Sequence, residues 1–95
     1  MTADHLCANQ RDGLVKLVAA FDSLTTTTDR TEKQLAALKA AHAAPATIAS
    51  VQETLDAERE QLAQIALEGK VAAEDFQQQC GGEPLPRGAE AFLTT

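Results

Sequence analysis

Two apolar stripes, stepping three and four residues at a time from Leu14 onward and separated by one proline, constrain this chain more than anything else in it. The first runs Cys7, Leu14, Leu17, Phe21, Leu24, Thr28, Thr31, Leu35, Leu38 and His42. The second runs Ile48, Val51, Leu55, Glu58, Leu62, Ile65, Gly69, Ala72 and Phe76. Alternating steps of three and four return to one side of an α-helix, the spacing of a coiled-coil seam rather than of a strand. Pro45 lies between the stripes, where it cannot continue the first helix but suits the first turn of the second. The pattern predicts an all-α fold, a long antiparallel two-helix hairpin: a helix over about 3–43, a turn at 43–46 and a helix over about 46–80. Residues 81–95, with Gly81, Gly82, Pro84 and Pro86, are expected to form an irregular tail carrying an apolar hook, Ala91-Phe92-Leu93, which folds back over the open end in the favoured reading and docks on a partner in the other.

Local signals refine this outline. Thr2 is placed to cap the first helix, with Asp4 in its first turn. Thr25-Thr26-Thr27-Thr28 is the weak point, because each β-branched residue costs roughly 0.5–0.7 kcal/mol relative to Ala in a helix. Asp29 followed by Glu32 even offers a new start. The stripe nevertheless crosses this segment without losing step, so a continuous helix is expected. His42 near the end of the first helix suits its negative pole. Ser50 and Glu53 have capping-box spacing, and Gly81-Gly82 is expected to stop the second helix in a left-handed conformation.

Folding back at residues 43–46 pairs Leu38 with Ile48, Leu35 with Val51, Thr31 with Leu55 and Thr28 with Glu58. It continues with Leu24 and Leu62, Phe21 and Ile65, Leu17 and Gly69, and Leu14 and Ala72. A half-heptad shift is the competing register. In the first register Cys7 and Cys80 meet at the open end, so a disulfide between them is one reading and a pair of half-buried free thiols the other.

The charge is −6, and it is unevenly placed. Residues 1–44 balance five acids with five bases, whereas residues 45–79 hold seven acids against Arg59 and Lys70, a net of −5. An acidic helix repels phosphate, so neither direct nucleic-acid binding nor an anionic membrane surface is expected, and a basic protein surface is the natural complement. No apolar run has transmembrane length, and no basic-then-apolar leader opens the chain. A cytoplasmic location is therefore expected, with export by a route independent of a signal peptide as the alternative.

No catalytic, cofactor-binding or metal motif stands out. His5 and Cys7 are two apart on a helix and point nearly opposite ways, so a zinc site with Cys80 is disfavoured, as is a Cys–His catalytic pair with the distant His42. Glu58 is the clearest break in the second stripe. It is read as a carboxylate leaning to solvent or accepting hydrogen bonds from Thr28 and Thr31, and the sharper reading is a buried acid used for binding or proton transfer. Gly69 costs about 1 kcal/mol in mid-helix, and making room for Leu17 is its simplest account. Leu67 and Val71 point away from the seam, as do Val15 and Val18, so the open half of the hairpin is apolar on several sides. The tail hook, a second copy or another protein must cover it.

The resulting expectation is a non-catalytic, chaperone-like or structural interaction module, assembling with itself into a dimeric four-helix bundle or binding a protein with a basic surface. The expected partner-binding residues are Glu60, Leu67, Val71, Glu74, Val15, Val18 and Phe92. The alternative is a small acidic inhibitor, of the anti-defence kind carried by phages, that blocks a basic, nucleic-acid-binding surface of another protein. In size and outline the chain is similar to the small helical hairpins of specialised bacterial secretion. That likeness is one of shape, because the turn here reads Ala43-Ala44-Pro45-Ala46 in place of their Trp-Xaa-Gly.

Overall fold

In a computed structural model the chain is two long helices packed antiparallel, with a short 3₁₀ helix folded back on their open end. The structure describes residues 2–94, with side chains from residue 5 onward; the expected Thr2 cap and Asp4 side chain lie outside the described residues. Helix α1 spans Thr2–Ala40, helix α2 spans Pro45–Gln79, and the 3₁₀ helix spans Ala89–Thr94. The rod is 61 Å long and 20 × 17 Å across, its length set by α1 at about 1.5 Å per residue.

Helix α1 passes through the four threonines unbroken. The hydroxyls of Thr25, Thr26 and Thr27 donate to the carbonyls of Phe21, Asp22 and Ser23, at 2.8, 3.1 and 3.1 Å. Three of the four hydroxyls are thereby satisfied inside the helix, Thr28 being the exception, and the seam's periodicity overrides a weak local propensity.

The turn differs from expectation in one respect. Helix α1 stops at Ala40 rather than near Ala43, because His42 lies outside it with φ 55°. The His42 amide donates to the Lys39 carbonyl at 3.1 Å and the Ala43 amide to the Leu38 carbonyl at 3.0 Å. This is the Schellman closure, with histidine where glycine is usual. Ala44 then caps α2 through its backbone alone, accepting from the Ile48 amide at 3.1 Å, and Pro45 takes the first turn. The Ser50–Glu53 spacing goes unused as a cap, since Ser50 lies inside the helix and its carbonyl accepts from Thr54.

At the far end Gly81 and Gly82 do not stop α2 by turning left-handed. Among the described residues positive φ occurs only at His42 and Gly88. Helix α2 ends on Cys80, whose amide donates to the Phe76 carbonyl at 2.7 Å. Gly81 is needed for clearance, because a Cβ there would lie 2.8 Å from the Gln77 carbonyl oxygen.

The core is densest at the open end. Leu14, Ala73, Phe76, Cys80, Ala89 and Phe92 form one buried cluster, flanked by Cys7, Leu17, Val18 and Phe21. Leu35 and Leu55 are buried nearer the turn, and Thr28 and Thr31 lie buried between the two apolar zones. Two helices alone bury only one seam, so a third element is needed to enclose more. The tail supplies it.

Candidate functional site

The tail settles which apolar surface is covered within the chain. Arg11 of α1 donates to the Glu83 carboxylate at 2.8 Å while its guanidinium sits 5.3 Å from the centre of the Phe76 ring, holding the start of the tail against both helices. Gly88 adopts φ 92°, and a Cβ there would meet a Val18 methyl at 2.9 Å, so the chain turns there against α1 as only glycine permits. Phe92 is then 3% exposed, its ring edge-on to Phe21 at a 5.6 Å centroid distance. It lies over Gly69, where a Cβ would stand 2.5 Å from ring carbons.

Four expectations are corrected by this packing. Phe92 is a core residue, as the fold-back reading of the hook expects, and not an exposed partner contact, because the Gly69 notch receives its ring. Val18 is half-buried under Gly88 rather than open to a partner. The space at Gly69 is filled by Phe92 and not by Leu17. The expected irregular tail is in fact closed by a 3₁₀ helix, which brings Ala89 and Phe92 to the same buried side.

Cys7 and Cys80 are joined in a disulfide, with Cα atoms 5.9 Å apart across a sequence separation of 73. Their sulfurs are bonded to each other, so neither remains a thiolate for zinc. Among the described residues no group of three His, Cys, Asp or Glu is placed to hold a metal ion. Beside the disulfide, the side chains of Gln10 and Gln79 hydrogen-bond across the seam. Nearer the turn Arg59 pairs with Glu32 at 2.8 Å, an exposed pair worth little in stability.

The middle of the seam is polar. Thr31 donates to the Thr27 carbonyl at 3.1 Å, whereas Thr28 Oγ1 and Glu58 Oε1 are buried without a hydrogen-bond partner. The expected threonine hydroxyl bond to that Glu58 oxygen is therefore not made.

The large apolar residues that remain exposed are Leu6 and Val15 on α1 and Leu67 and Val71 on α2, and only the α2 pair lies on one side of its helix. Leu67 is 59% exposed and Val71 51% exposed, one helical turn apart on the same side. Glu60 and Glu74, both exposed, stand seven residues before and after Leu67, so each is about 10 Å along the axis in the same stripe. Val15 is 50% exposed, but on α1 and in phase with the flank that carries Val18 and the tail. The structure thus places Glu60, Leu67, Val71 and Glu74 together on one helix and leaves Val15 apart from them. Leu6, 46% exposed, is a further uncovered apolar residue that the stripe did not single out. Arg11 was equally invisible, since its role depends on where the tail returns.

Among the described residues no helix is long and apolar enough to cross a membrane. No protein-family model, no curated protein and no solved structure matches this chain.

Proposed function

We propose that this chain is a non-catalytic protein–protein interaction module that binds through the outer face of α2. The observation that carries the reading is the exposure of Leu67 and Val71 after the tail has been accounted for. Of the three ways to cover the apolar open half, the tail is used up on Val18, Phe21 and Gly69, which leaves a second copy of the chain or another protein. Leu67 and Val71 would supply the desolvated anchor, and Glu60 and Glu74 the charge that selects the partner. Val15 is peripheral in this reading. The dimeric four-helix bundle is the form it takes if the partner is a second copy.

The net charge of −5 over residues 45–79 favours a second reading, an inhibitor that covers a basic, nucleic-acid-binding surface. The two readings share the face and differ in the partner.

Leu67→Glu tests both. The residue is exposed, so the variant should melt with the wild type. It should lose the partners that wild-type chain captures from its native source, and lose any concentration-dependent rise in light scattering. A variant that captures the same proteins, at the same yield, refutes the assignment of this face. Capture that vanishes between low and high salt and is competed by nucleic acid selects the inhibitor.

A further inference from the structure

The start of α1 is held unlike the rest of the helix. From residue 5 to Gly13 no side chain is buried, whereas the next one, Leu14, is fully so. Leu6, the one large apolar residue of that segment, is 46% exposed. Its ties across the seam are the Cys7–Cys80 disulfide, the Gln10–Gln79 side-chain hydrogen bond and the Arg11–Glu83 ion pair. The two polar ties face solvent and add little stability, so the covalent bond is what keeps the segment docked.

Gly13 marks the inner boundary of the segment. Unlike Gly69 and Gly88 it serves no close approach, since a Cβ there would meet nothing within 4 Å. A glycine with open space around it only weakens the helix at that point. The loosely seated segment thus joins the buried part of α1 through a weak joint. We propose that the Cys7–Cys80 bond is a redox latch, whose reduction undocks the start of α1 up to Gly13 and uncovers the apolar open end of the hairpin. Arg11 leaves with the segment, so Glu83 loses its tether and the Phe76 ring its cover. Leu35 and Leu55 stay buried nearer the turn, so the opening is local. None of this depends on what binds the outer face of α2.

The chemistry is thiol–disulfide exchange with a dithiol. Cys80 is 5% exposed and Cys7 more open, so the incoming thiolate bonds to Cys7 Sγ. The Cys7–Cys80 bond breaks, and its electron pair leaves on Cys80 Sγ, which takes a proton from water. The second thiolate of the reductant then attacks its own sulfur in the mixed disulfide and releases Cys7, which is protonated in turn. The protein gains two electrons and two protons, and the dithiol ends as a cyclic disulfide.

Amide hydrogen exchange followed by NMR, with and without dithiothreitol, tests the latch. In the reduced chain the amides of residues 8–12 should exchange roughly tenfold or more faster than in the oxidised chain, and roughly tenfold or more faster than those of residues 31–38 in the same sample. Cys7→Ser with Cys80→Ser should reproduce that pattern without reductant. In the reduced chain Gly13→Ala should slow exchange over residues 8–12 by about fivefold. Residues 8–12 protected equally in both redox states overturn the proposal. An equal rise in both segments, or outright unfolding on reduction, overturns it too, by making the bond a staple of the whole fold. Exchange unchanged by Gly13→Ala removes the joint on which the local opening depends.

Discussion

Replacing Gly69 with alanine separates two physical accounts of the same residue, and they differ in sign. If Gly69 were only a poor helix former in α2, Ala would stabilise the chain by about 1 kcal/mol. The structure predicts the reverse. A Cβ at position 69 would stand 2.5–2.6 Å from three ring carbons of Phe92, closer than any real Cβ contact. The ring cannot retreat without leaving its edge contact with Phe21 at 5.6 Å and drawing Ala89 out of the cluster. Exposing Phe92 forfeits about 1.5–3 kcal/mol of burial and about 0.5–1.5 kcal/mol of aromatic contact. Against the helical gain, the net destabilisation is about 1–3 kcal/mol, a fall in Tm of roughly 5–20 °C for a domain of this size. Thermal melts followed by circular dichroism read this directly. A double-mutant cycle sharpens it: with Phe92→Ala already in place the clash is gone, so adding Gly69→Ala should raise Tm. A single Gly69→Ala variant more stable than wild type would refute the seating of the tail in this notch.

Three further outcomes follow from other elements. Reducing the Cys7–Cys80 disulfide, or replacing both cysteines with serine, releases a cross-link over a separation of 73 residues and should cost about 4 kcal/mol, seen as a lower melting transition with reductant than without. His42→Gly should stabilise by about 1 kcal/mol, because φ 55° at that position is strained for a side chain and free for glycine; denaturant titration would show a higher midpoint at unchanged slope. Thr28→Val should stabilise by about 1 kcal/mol, since the hydroxyl it removes is buried without a partner, and a loss of stability there would mean that Thr28 makes a hydrogen bond in solution.

The hairpin was legible because its signal is local and repeated. A three-four step held from Leu14 to Leu38 and again from Ile48 to Phe76 leaves little choice but two helices with one shared seam. The threonine run fitted that scheme because side-chain hydroxyls can return to their own helix's carbonyls. The exact end of α1 was not legible, as left-handed closure there falls on a histidine, whose tolerance of that region is far weaker as a signal than a glycine's. That Glu60, Leu67, Val71 and Glu74 lie exposed on one side of α2 was readable from helical phase alone, whereas the covering of Val18 and Phe92 was not. Both residues are exposed or covered according to where a Gly- and Pro-rich tail lands, and nothing within that tail encodes its distant seat.

Sequence by itself determined two helices, their relative direction and the apolar stripe that joins them, because periodicity along a helix fixes which side chains share a side. Tertiary structure alone decided that Phe92 fills the space over Gly69, that Arg11 bridges Glu83 and Phe76, and hence which apolar residues stay in water. Those outcomes depend on contacts between segments far apart in the chain, whose shapes match only once the hairpin has closed.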